Sequence, residues 1–131
     1  MQKVLIISYF FPPCNLTASQ RAYSWAKHLN KFGFYPIIVT RKWEKHVRSY
    51  VDCHYATSDG DLVEKHDNYE VHYCPYSPNL RDRLHTSGKL FLIKKFLSLL
   101  ELILQNINIK FCSFNNIYVK ADELLNTQQE I

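Results

Sequence analysis

Six side chains at the start of this chain have the types and spacing to hold a hydroxyl-rich or anionic ligand: Pro13, Asn15, Thr17, Ser19, Arg21 and Arg41. Asn15, Thr17 and Ser19 offer amide and hydroxyl groups on a short loop entering a helix, where exposed backbone N–H groups also favour an anion. Their other use is local, and Thr17-Ala18-Ser19-Gln20 fits a capping box in which Thr17 and Gln20 serve the first helical amides. Arg21, in the first helical turn, opposes the helix dipole. A phosphate held bidentately would account for it, and the alternative is an exposed helical arginine. Arg41 and Lys42 leave the second strand beside the same loop, as substrate contacts or as a solvated turn. Trp43 reads as packing before it reads as a sugar platform.

Other reactive residues assemble into nothing comparable. Cys14, Cys53, Cys74 and Cys112 show no C-x-x-C spacing, and an α/β pattern suits free thiols in a reducing cytoplasm. Cys53-His54 and His72-x-Cys74 lack the usual gaps between zinc ligands, so no metal site is expected. His28, His46, His54, His66, His72 and His85 form no triad, and no catalytic residue is assigned. The net charge of +4, from 16 Lys plus Arg against 12 Asp plus Glu, suits an anionic ligand or membrane surface as well as an ordinary exterior. Those charges are scattered without aromatic interleaving, which argues against nucleic acid. Residues 1–20 resemble a signal peptide only superficially, because Pro12-Pro13 close the apolar run and an amphipathic helix follows at once.

These residues need a scaffold, and the pattern supplies one. Val4 to Phe10 shows no polar alternation, as expected of a strand covered on both faces. Pro12 and Pro13 end it. Ala22, Trp25, Ala26, Leu29 and Phe32 recur at helical spacing, and Gly33 suits the left-handed position after the last turn. Tyr35 to Thr40 is a second buried strand. This is a βαβ unit, in which ligands bind where the first strand's carboxyl end opens into its loop. Residues 44–58 carry no periodicity. Asp61 to Cys74 reads as a hairpin turning over His66-Asp67-Asn68, and Leu80 to Leu84 as one helical turn. Lys89 to Ile107 is a strongly apolar helix about 28 Å long, with one narrow polar line of Lys94, Ser98, Glu101 and Gln105. Such a helix is buried on most sides, or lies against a partner or, through Lys94 and Lys95, on an anionic membrane. Ile117, Tyr118, Ala121, Leu124 and Leu125 mark a last amphipathic helix, capped by Ser113 or Asn115. No strand follows it, so the sequence predicts a domain of α/β class that stops partway.

The strand Lys3 to Phe10 with Phe11-Pro12-Pro13, the helix Arg21 to Leu29 and the segment Gly33 to Thr40 together resemble the start of glycosyltransferase family 4 enzymes. Val71 to Tyr76 and Asn79 to Leu84 resemble a later stretch of bacterial members. F-P-P alone is weakly specific; F-P-P followed in order by the helix, the glycine and the second strand is more so. The resemblance covers most of this chain but only the amino-terminal part of the family. It implies a glycosyltransferase-B architecture: a partial Rossmann-like domain of parallel strands, a β-hairpin and flanking helices, whose residues 1–131 form the acceptor side. Such an enzyme moves a sugar, with retention, from a nucleotide-sugar to a saccharide or lipid-linked acceptor in cell-surface polysaccharide synthesis. It needs no metal ion, takes the nucleotide-sugar as donor substrate rather than cofactor, and is cytoplasmic or peripheral on the inner face of the membrane. Asn15 to Ser19 lacks the Gly-Gly pair common in the family loop. The family's histidine-bearing loop and second-domain glutamate pair have no counterpart, Glu123 and Glu130 being solvated helix residues on this reading. The portion is therefore expected to be inactive alone. The rival reading is a small α/β binding module that docks a partner or membrane through residues 89–107.

Overall fold

A computed structural model describes residues 1–44, 46–87, 91–108 and 112–127. Glu130 and Lys89, named above, lie outside them. The chain folds as an α/β domain around a four-stranded mixed sheet. In order it runs β1 (Gln2–Ser8), α1 (Thr17–His28), β2 (Phe34–Arg41), β3 (Leu62–Lys65), β4 (Glu70–Cys74), α2 (Leu80–Ser87), α3 (Phe91–Ile107) and α4 (Asn115–Thr127). Spatially the strands lie β1-β2-β4-β3. β1 pairs with β2 in parallel, from Gln2 opposite Phe34 to Ser8 opposite Thr40. β2 pairs with β4 in parallel, and β3 returns antiparallel on β4 as the expected hairpin.

Strand alternation explains the layers. Ile38 of β2 faces a cluster containing Ile6, Phe11, Ala22, Ala26, Val71 and Tyr73, which is the α1 side. Its neighbours Ile37 and Val39 face Cys74, Ile117, Ala121 and Leu124, which is the α4 side. Successive side chains of a strand point to opposite faces, so β2 is buried twice over. Burying each such aliphatic side chain stabilises the fold by roughly 1.5–3 kcal/mol. Gly33 closes the turn before β2 at φ 85°, in the left-handed region expected of it.

Several local expectations are corrected. Leu16, not Thr17, is the N-cap of α1; its side chain makes no capping bond, and Thr17 is the first helical residue. The Ser19 hydroxyl bonds back to the Leu16 carbonyl at 2.7 Å instead. The inward stripe of α1 is Ser19, Ala22 and Ala26, whose small size lets the helix sit close to the sheet. Trp25, at the edge of that stripe, is 50% exposed, and Phe32 is exposed too. Ile7 also reaches solvent, so β1, an edge strand, is not fully covered. β4 does not alternate: Val71 to Cys74 are all buried because strands flank it on both edges and helices cover both faces. In α4 the buried positions are Ile117, Ala121 and Leu124, while Tyr118 and Leu125 are exposed.

The largest departure is α3. Among the described residues, α2 is the only regular element it packs against, and it touches no strand. It is not buried on most sides. Glu101, on its polar line, is 8% exposed, whereas Leu92 is 78% and Phe96 64% exposed. The physical reason lies in α2 and the segment before α4. Glu101 meets Arg81 Nη1 at 2.8 Å, and accepts hydrogen bonds from Asn79 Nδ2 at 2.9 Å and Ser113 Oγ at 3.0 Å. α3 is docked by its polar side.

Candidate functional site

A cleft of about 610 Å³ opens at the carboxyl rim of the parallel strands, between the proline loop after β1 and residues 41–57. Its lining includes Pro13, Arg41, His46, Arg48, Asp52 and Tyr55. The peptide bond between Pro12 and Pro13 is cis. Cys14, Trp43 and Val47 form an apolar cluster at this rim, with Tyr9, Phe10 and Leu16 packed against it. Trp43 stacks on Phe10 with ring centres 5.6 Å apart and donates its indole N–H to the Tyr9 carbonyl at 3.1 Å, which makes it packing.

Arg41 ends β2 rather than emerging from it, and it is only 2% exposed. Its guanidinium donates to the Tyr9 hydroxyl, to the Cys53 carbonyl at 2.5 Å and to the Tyr55 carbonyl at 2.9 Å. It lies 3.7 Å from the Tyr76 ring centre and 4.3 Å from that of Trp43, both favourable cation–π distances. Among the described residues no carboxylate pairs with it, and its Nε has no hydrogen-bond partner. A buried, unneutralised cation beside an open cleft is costly unless an anion comes to it.

The outer wall is held by other bonds. Asp52 accepts the Arg48 and Ser49 amides at 2.8 Å each, which holds its carboxyl below the ordinary carboxylate range and keeps it ionised. Thr57 exchanges two hydrogen bonds with Tyr76, and Glu44 accepts the Ser58 amide. Behind this wall Asp82 is fully buried. It accepts from His54 Nδ1 at 2.8 Å, from Arg81 at 3.1 Å, from the Asn79 amide at 3.2 Å and from the Tyr76 hydroxyl. Burial pushes its pKa up, but the bonds from Tyr76, His54 and Arg81 outweigh that and hold it down. Asn79 Oδ1 accepts the Asp82 amide in return, so the pair is a capping box that starts α2. His54 and Asp82 do not line the cleft.

The structure brings two of the six predicted residues, Pro13 and Arg41, into the cleft. Asn15 braces it, accepting the Val47 amide at 2.9 Å. Ser19 is buried on the inward face of α1, and Thr17 and Arg21 face solvent outside the cleft. His46, Arg48, Asp52 and Tyr55 were not anticipated. Ser49-x-x-Asp52, a capping-box pattern just past the carboxyl end of β2, was the available signal. Cys14 and Cys53 have their thiols pushed up by burial, so neither supplies a thiolate at neutral pH. Cys74 is pushed up to about 12, again by burial. All four thiols are free. Among the described residues no three His, Cys, Asp or Glu side chains converge as metal ligands, and no helix is long and apolar enough to cross a membrane. The lining sets Arg41 and Arg48 against Glu44 and Asp52, an arrangement that can bind and orient a polar molecule. Comparison with protein-family models, with curated proteins and with solved structures finds no match for this chain.

Proposed function

We propose that this chain is the amino-terminal, acceptor-side portion of a retaining glycosyltransferase with a partial Rossmann-like, glycosyltransferase-B-type domain. Its cleft holds the phosphate-bearing end of a substrate, a lipid-linked saccharide acceptor or the nucleotide-sugar donor. Arg41 carries the reading: a buried cation without a carboxylate partner lines the cleft at the end of a parallel strand, where α/β sheets take ligands. Arg48, exposed in the same lining, adds positive charge beside Glu44 and Asp52, and Arg48 and His46 offer donors for phosphate or sugar hydroxyls. Sugar transfer depends on placing donor and acceptor together. No residue here is assigned to the bond-making step, and the chain alone is inactive.

Calorimetric titration with inorganic pyrophosphate, a nucleoside-diphosphate sugar and a pyrophosphate-linked saccharide tests this. Saturable binding of at least one sugar-bearing probe is expected, weakened about tenfold by Arg48→Ala, the scale of one charge-assisted contact. Arg41→Gln weakens it further and also lowers stability. Binding of none of the probes refutes the reading, and saturable sugar transfer by the 131 residues refutes the claim of inactivity. The outward apolar face of α3 favours a second reading, a small α/β module that docks through residues 89–107. Such a module binds no saccharide in the same titration.

A further inference from the structure

Leu92, Phe96, Leu99, Leu100, Ile103 and Ile107 of α3 are all exposed and, at about 100° per residue, share one side of the helix. They form an apolar ridge about 22 Å long. A ridge of this size on a folded domain marks an interaction surface. Its spacing is a palindrome: the six positions follow one another at steps of 4, 3, 1, 3 and 4 residues. Turned end over end about a point between Leu99 and Leu100, the ridge falls on itself. Leu92 then takes the place of Ile107, and Phe96 that of Ile103.

That symmetry selects the occupant. A bilayer asks only that a helix have an apolar face, and any spacing serves. A two-fold interface, in which one patch meets its own copy, requires a surface that matches its own reversal. We propose that two copies of the chain pair through α3, antiparallel about a two-fold axis between Leu99 and Leu100. Leu92 of each copy lies level with Ile107 of the other, Phe96 with Ile103, and Leu99 with Leu100 at the axis. The positive end of each helix dipole then sits beside the negative end of the other. The ridge itself carries no charge. The two copies of Lys95, on its flank, stand about 14 Å apart along the helices, beyond the screening length of physiological salt. Two such ridges bury roughly 1,000 Å² in all, the lower limit of a specific interface, so the dimer is weak and reversible. In dilute solution the chain is a monomer with its ridge in water. The proposal uses none of the cleft residues, so either can fail without the other.

Sedimentation equilibrium of the full chain over a concentration series tests it. Monomer is expected below about 10 μM, giving way to dimer with a dissociation constant on the order of 100 μM, a strength suited to so small an interface. Replacing Phe96, Leu99 and Ile103 together by serine should hold the chain monomeric throughout. Circular dichroism of the dilute variant should be unchanged, because those side chains are already in water there. Oxidative cross-linking reads the direction of pairing. F96C mixed with I103C should form a disulfide-linked pair, and neither variant alone should link to itself. Like positions stand about 10 Å apart along the axis, whereas a disulfide joins Cα atoms no more than about 7 Å apart. The parent chain, whose four thiols are free, is the control. A parent chain that stays monomeric at every concentration overturns the proposal, and binding to phosphatidylcholine vesicles that the serine variant loses would then give the ridge to lipid. A dimer that survives the serine replacements overturns it too, as does F96C linking to itself as readily as to I103C.

Discussion

α3 and α4 are both amphipathic helices from the second half of the chain, yet they dock by opposite sides. α4 lays Ile117, Ala121 and Leu124 against Ile37 and Val39 of β2 and is held by apolar burial. α3 turns Glu101 inward to Arg81, Asn79 and Ser113 and leaves Leu92, Leu99, Leu100 and Leu102 outside, with Leu97 and Leu104 half-buried. Helical periodicity tells which residues share a face; what waits opposite decides which face goes in. α4 meets an aliphatic sheet. α3 meets α2, whose first turn presents an arginine and a capping asparagine, so ion pairing and hydrogen bonds decide.

The largest effect is expected where α2 itself is anchored. Asp82→Ala removes a fully buried carboxylate that joins Tyr76, His54, Arg81 and Asn79. It should cost about 3–5 kcal/mol in urea unfolding, because those partners are left unpaired. If α3 amides keep their hydrogen-exchange protection in that variant, α2 is not the platform for α3. Next, Leu124→Ala should cost about 2–4 kcal/mol as a core cavity, whereas Leu99→Ala should move stability by no more than about 0.5 kcal/mol. Comparable losses at both positions would erase the contrast between the helices. Glu101→Gln keeps the shape and removes the charge, and about 1–2 kcal/mol is expected. Its loss should appear as faster exchange confined to α3, with β2 amides unaffected.

The smallest effect is a pH dependence. Burial, and then the neighbouring His54, lower the pKa of His85 in the folded state. The unfolded chain therefore binds a proton more readily, and stability falls as pH drops from neutrality through the ordinary histidine range. His85→Asn should flatten that part of the pH–stability curve. Asp82 acts lower: its depressed pKa gives stability that is present above the ordinary carboxylate range and lost as pH falls below it. A curve unchanged by His85→Asn would show that this histidine does not feel the α2 cluster.

The sheet was legible because its signals are local. Apolar strands, a glycine stop and a hairpin turn follow from neighbouring residues, and the parallel pairing of β1 with β2 follows from the helix between them. The site was half legible. Pro13 and Arg41 are in the cleft because the carboxyl rim is where such folds open. The burial of Arg41 was not readable, since it depends on carbonyls of Cys53 and Tyr55 and the hydroxyl of Tyr9, brought from distant segments. His46, Arg48 and Asp52 stand in a stretch with no period, where order comes from single side-chain-to-backbone bonds such as Asn15 to the Val47 amide. The orientation of α3 was illegible for the same reason: Arg81 and Asn79 choose its inward face, and they precede it on another helix.

The central claim is that α3 carries Glu101 inward and Leu92, Leu99 and Leu102 outward. Methyl NMR with a soluble paramagnetic agent tests it most directly, comparing Leu99 and Leu102 with Leu124. The account predicts strong relaxation of the Leu99 and Leu102 methyls and near silence at Leu124. Leu99 protected as fully as Leu124 would contradict it.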